Sequence, residues 1–192
     1  MDNALVIVLA VALVVAIGVA AWLYMRQRSS QSLQDRFGPE YDRALSAHGD
    51  ATEAERELKH RAERVEQLHI RPLGHDERER YASKWRATQA QFVDDPVGAT
   101  READTLVGDV MAARGYPVGD FEQRAADVSV NHPRVVQHYR AAHGIALRNA
   151  GGHADTEELR QALVHYRALF EDLLGDDETS RPSRAAHQEV RR

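Results

Sequence analysis

Ten histidines give this 192-residue chain its greatest capacity for metal chemistry. A helical zinc site wants two imidazoles at i and i+4 on one face, with a carboxylate nearby. His138 and His143 are five residues apart, about 140° around a helix, so they do not chelate one ion together. His132 and His143 lie far apart along the same helix, and His165 approaches His143 only if the last two helices pair antiparallel. The spacing predicts no metal site and no cofactor. It leaves the histidines as partly buried groups bonded to neighbours or as solvated ones.

A second group, Glu122, Arg124 and Asp127, stands close in sequence to Arg140 and His143. These types serve either as an acid–base pair or as a helix cap with an inter-helix ion pair. No nucleophile stands at recognisable spacing from a base and an orienting group, so the cap and ion pair are expected and no catalytic residue is predicted. The chain has no cysteine, which excludes disulfides, thiolate catalysis and Cys-based zinc sites. No glycine-rich phosphate loop occurs, and Gly151-Gly152 reads as a helix linker. Arg78, Arg80, Arg86 and Trp85 resemble an arginine–aromatic face for nucleic acid, but Asp76, Glu77 and Glu79 interleave with them. The net charge of −5 likewise argues against a nucleic-acid partner.

The elements that position these groups all read as helical. Ala4 to Tyr24 carries no charged side chain. As a helix it spans roughly 32 Å, matching a bilayer core of about 30 Å in which only helices and closed barrels satisfy their backbone groups. Trp22 and Tyr24 suit the headgroup level. A cleaved signal is disfavoured: Met1-Asp2-Asn3 is not basic, and the apolar run is too long. Arg26, Arg28 and Arg36 follow the run, so the positive-inside rule places the C-terminal part in the cytoplasm. The expectation is a single-pass protein of the plasma or bacterial inner membrane, in contact with the lipid bilayer.

Beyond the anchor no run alternates with a period of two, and helical signals recur between Gly, Pro and Asp breaks. Helix continues from Ser29 to Ser46 with a break near Gly38-Pro39, and Leu33, Phe37, Tyr41 and Leu45 form one stripe. Ala51 to His69 is a charged helix with a thin seam of Leu58, Val65 and Leu68. That seam suits packing along one neighbour but is too short for a sustained coiled coil. Asp76 is the expected cap of the next helix, with Tyr81, Trp85, Thr88 and Phe92 on one face. Asp94-Asp95-Pro96 starts another, burying Ala103, Leu106, Val107, Val110 and Met111. Asp120 caps a short helix through Val128, and Asn131-His132-Pro133 opens a helix whose inward residues are Val135, Val136, Tyr139, Ala142, Ala146 and Leu147. Thr156 caps the last, with Leu159, Leu163, Tyr166, Phe170 and Leu173 inward. The predicted fold class is all-α: an anchor over residues 1–28, a juxtamembrane helical stalk over 29–72, a helical bundle over 73–174 and a disordered polar tail over 175–192.

Several phrases carry a resemblance. They are Arg36-Phe37-Gly38-Pro39-Glu40-Tyr41-Asp42-Arg43, Phe92-Val93-Asp94-Asp95-Pro96, Arg114-Gly115-Tyr116-Pro117, Phe121-Glu122-Gln123-Arg124-Ala125-Ala126-Asp127, His132-Pro133 and Tyr139-Arg140-Ala141-Ala142-His143. In combination they resemble an uncharacterised family of bacterial membrane-anchored helical proteins. The resemblance covers most of the part after the anchor and implies the architecture without an activity.

The function expected is a non-enzymatic, membrane-tethered interaction or scaffold module that pairs with a protein partner or a second copy. The candidate contact residues are Phe37, Tyr41, Leu58, Val65 and Leu68. The alternative is a small helical enzyme or ligand-binding domain with a polar site near Glu122, Arg140 and His143, joined by His165.

Overall fold

The computed structural model describes the backbone of residues 2–175 and the side chains of residues 13–175 except Trp22 and Arg26. Eight helices and no strand occur among the described residues, so the protein is all-α. The chain divides into two compact units, Met1–Leu58 and Lys59–Arg192.

In the first unit α1 runs unbroken over Asp2–Phe37, with no interruption where the anchor and stalk were expected to meet. Gly38 takes φ +48°, a conformation open to glycine, and Pro39 then starts α2 (Pro39–His48) at its first turn. The break shifts the helical phase. Leu33, Phe37 and Tyr41 are buried as the stripe predicts, but Ala44 takes the next buried place and Leu45 is only half-buried. Gly49 closes α2 at φ +70°, donating its N–H to the Leu45 carbonyl at 2.8 Å. Asp50 then accepts the Glu53 N–H at the start of α3 (Ala51–Glu66). The Glu55 carboxylate accepts hydrogen bonds from Ser30 at 2.6 Å and Tyr41 at 3.1 Å, tying α3 to both earlier helices.

Residues 13–25 of α1 are different. Leu13, Val14, Val15, Ile17, Val19, Leu23, Tyr24 and Met25 are all exposed. Among the described residues no helix is long and apolar enough to cross a membrane. The side chains of residues 1–12 and of Trp22, which make up much of the expected span, lie outside the described residues. Of the expected tail over 175–192, Gly175 belongs to α8 and the rest lies outside the described residues.

The second unit holds the rest of α3 and then α4 (His75–Gln91), α5 (Pro96–Arg114), α6 (Phe121–Asn131), α7 (Val136–Ala150) and α8 (Thr156–Gly175). Helix α8 packs chiefly on α7 and α5, and α4 packs on α5. The inward residues expected of α5 and α8 are all buried. On α4 Trp85 and Thr88 are buried while Tyr81 and Phe92 are half-buried. On α7 Ile145 takes the place expected of Ala146 and Leu147, and Leu147 is exposed. Steps of three from Tyr139 through Ala142 reach residue 145, so 147 turns to water.

Several helix starts differ by a residue or two from the sequence reading. Helix α4 begins at His75, not after Asp76, because Glu77 reaches back to accept the Gly74 N–H at 2.9 Å. Arg71 grips the same carboxylate at 2.7 and 2.8 Å. These bonds, the guanidinium's first, hold the Glu77 carboxyl down at about 2. Helix α8 is capped by Asp155, which accepts the Glu158 N–H while Glu158 accepts the Asp155 N–H. Thr156 is therefore its first residue, not its cap. Asp120 caps α6 as expected, accepting from Gln123 at 2.8 Å, and Asp95, read only as part of the break before α5, caps that helix by accepting from Gly98 at 2.8 Å. Helix α6 continues to Asn131 rather than stopping at Val128, and α7 starts at Val136, three residues after Pro133.

Candidate functional site

The helix faces that build the bundle core also carry polar side chains into it. Tyr139 and His143 are four apart on α7 and so share a face. Asp104 comes from the margin of the apolar stripe of α5, Arg124 from α6 and Tyr166 from α8. Tyr139 and Tyr166 are fully buried and meet edge to face, with ring centroids 6.3 Å apart. Phe121 lies flat on His143, centroids 3.6 Å apart, and tilts against Tyr139 at 4.8 Å. The Arg124 guanidinium rests over Gly108, where a Cβ would come within 3.0 Å of Nη1.

Five buried polar atoms of this cluster have no hydrogen-bond partner: Asp104 Oδ1, Arg124 Nε, Tyr139 OH, His143 Nδ1 and Tyr166 OH. Burial pushes both phenols well above the ordinary tyrosine value, and Asp104 adds to this at each. Asp104 acts on Tyr166 from nearby, yet the geometry closes no hydrogen bond at the phenol oxygen. Burial lowers His143, against the opposing pull of Asp104. The cluster thus offers two neutral phenols, an imidazole that favours neutrality, a carboxylate and a guanidinium. It supplies donors and acceptors together, and no nucleophile is hydrogen-bonded to a base within it. Asp104 also lines a cavity of about 110 Å³ between α5 and α7, with Val97, Thr100, Arg101, Ala146, Asn149 and Ala150. That volume holds a few waters at ~30 Å³ each.

The residues singled out from the sequence divide among several places. Glu122, 69% exposed, accepts a 2.6 Å hydrogen bond from Arg140 at the surface. Asp127 is buried and accepts from Arg64 Nη2 at 2.8 Å, Arg64 Nε at 2.9 Å and Gln123 Nε2 at 3.0 Å. The Glu122–Arg140 bridge is the inter-helix ion pair expected of this phrase, α6 to α7, and Asp127 adds a second one to α3. His143 enters the cluster. His165 pairs not with His143 but with His138. Glu122, Arg140, His143 and His165 therefore do not form one pocket. His132 is buried, with Nδ1 2.5 Å from Asp172 Oδ2.

Phe37, Tyr41, Leu58 and Val65 are buried in the chain itself and Leu68 is half-buried. As contact residues for a partner they are not presented at the surface, because the fold uses them for its own packing. Among the described residues no group of three or more metal-ligating side chains occurs.

Sequence reasoning passed over Asp104. The signal was a carboxylate between Ala103 and Leu106 in an otherwise apolar arc. Tyr139 and Tyr166 were legible only as core aromatics. No family model, curated protein or solved structure matches this chain.

Proposed function

We propose that this chain is a membrane-tethered helical interaction or scaffold protein. One observation carries the reading: the described apolar side chains of α1 between residues 13 and 25 are exposed on every side of the helix. Leu13, Val14, Val15, Ile17 and Val19 step around the full circle at 100° per residue, and each is more than half exposed. A partner helix covers one stripe, so it leaves most of this surface in water, whereas a bilayer surrounds all of it. The uncharged run Ala4–Tyr24 and the flanking Arg26 and Arg28 add support, and orient the domain toward the cytoplasm. A tether raises the local concentration of the helical units for a membrane partner or a second copy. Any partner surface lies away from the Phe37–Val65 side chains, which are already buried.

The full chain is expected to stay with membranes through an alkaline carbonate wash, and deletion of residues 4–24 should move it to the supernatant. Release of the intact chain by the wash would overturn the reading. A phosphatase fused to the C-terminus should be inactive, and an active one would reverse the orientation.

A second reading concerns the bundle and rests on the five unpartnered atoms around Asp104. Each buried, unsatisfied polar group costs about 1–3 kcal/mol, so a polar guest, water or a small ligand, has a place there. The guest site centres on Asp104, Arg124, Tyr139, His143 and Tyr166, with Glu122 and Arg140 at the surface beside it. Tyr139→Phe tests this by denaturation, since its phenol oxygen is buried without a partner. If a guest bonds the phenol, its loss costs about 1 kcal/mol. If the cluster is dry, removing the hydroxyl stabilises the fold instead.

A further inference from the structure

We propose that His138 and His165 form a binding site for a copper(II)- or nickel(II)-type dication. The site follows from the register of the α7–α8 hairpin. A short linker, 151–155, joins the two helices. Cross-contacts run from Arg148–Glu158 near the turn to His138–His165 further along, as antiparallel helices require. Tyr139 and Tyr166 meet in the core of this hairpin. The residue preceding each on its helix is a histidine, and those two histidines meet at the outer edge of the same seam.

The two Nδ1 atoms are 2.9 Å apart, with ring centroids at 5.1 Å. As the rings stand, one nitrogen donates and the other accepts. Two nitrogens bound to one metal at about 2.0–2.1 Å are separated by roughly 2.9 Å when cis at a right angle, and by about 3.3 Å at a tetrahedral angle. The observed separation is that of the hydrogen bond itself, and a cation that replaces the shared proton finds the two nitrogens close to the cis spacing of a tetragonal or octahedral ion. Imidazole is a good ligand for copper and nickel, and copper(II) leads the divalent affinity order. With no third protein ligand grouped there among the described residues, water completes the coordination sphere.

The test is titration of the full chain in detergent micelles with copper(II) chloride alone, followed by electron paramagnetic resonance. The expected spectrum carries hyperfine splitting from two equivalent nitrogens. His138→Gln and His165→Gln should each weaken binding at least tenfold and remove one nitrogen from the pattern, while His153→Gln should change neither. Nickel(II) chloride should raise the melting temperature of the native chain and not that of the double variant His138→Gln/His165→Gln. Both side chains lie at the surface seam, and an unchanged circular dichroism spectrum checks that the variants fold. Equal copper affinity in the double variant, or a native spectrum with a single nitrogen, would overturn the site. Zinc binding tighter than copper would overturn its geometry.

Discussion

Replacing Trp85 with alanine should cost the bundle about 3–5 kcal/mol, the range for truncating a buried large aromatic. Trp85 is almost fully buried on α4 and stacks on Phe170 of α8, with centroids 4.7 Å apart and planes 19° from parallel. The loss has two parts: burial of one of the largest side chains, and a stacked pair worth about 0.5–1.5 kcal/mol beyond its area. Helix α4 otherwise contacts the bundle chiefly through α5, so few neighbours can collapse into the space. Against a total stability of roughly 5–15 kcal/mol, the change should lower the melting temperature by on the order of 10–20 °C. Trp85→Phe separates stacking from volume. It keeps a ring on Phe170 and removes an indole N–H that is buried without a partner, so its loss should be less than half that of the alanine variant. Circular dichroism melts of both variants check this. A Trp85→Ala cost below about 1 kcal/mol would mean that α4 is not held by this contact.

Gly115→Ala should be nearly as damaging, for a backbone reason. Gly115 ends α5 at φ +97°, and a Cβ there would stand 2.5 Å from the His69 carbonyl oxygen. The obstructing atom is backbone and cannot rotate away. It belongs to a loop held in place by the Arg71 N–H, which donates to the Arg114 carbonyl at 2.9 Å. Left-handed strain in a non-glycine residue costs about 1 kcal/mol or more, and displacing the loop adds to it, for a total of roughly 2–4 kcal/mol. Gly152 provides the internal control. It has φ +73° and nothing within 4 Å of the added Cβ, so Gly152→Ala should show the strain alone, about 1 kcal/mol. Equal losses at the two positions in urea unfolding would show that the 69–71 loop gives way easily.

Most of the fold was legible because helices announce themselves locally. The apolar spacing along α5 and α8 names their buried faces correctly, since a 3.6-residue period leaves little choice of which side turns inward. Asp120 caps as read, since a carboxylate next to the first turn has orphan N–H groups within reach. The errors at α4 and α8 come from competition between neighbouring polar side chains for the first-turn N–H groups. Glu77 wins at α4 because Arg71, placed by the loop before the helix, completes its bonding, and Asp155 wins at α8 over Thr156 because its carboxylate reaches the Glu158 N–H.

The sequence by itself determined the all-helical class, the breaks at Gly38-Pro39, Gly49 and Gly115, and the apolar, uncharged character of residues 4–24, because each is a property of a few consecutive residues. Which side chains meet was decided only in three dimensions. Helix period places His138 on α7 and His165 on α8, but the register of the hairpin sets them 2.9 Å apart. Asp104 looks like a marginal surface acid until α6, α7 and α8 bring Arg124, His143 and two tyrosines toward it. The candidate contact residues Phe37, Tyr41, Leu58 and Val65 look free for a partner until the fold buries them. Periodicity reports the face a residue occupies and carries no information about what another helix, dozens of residues away, will set against it.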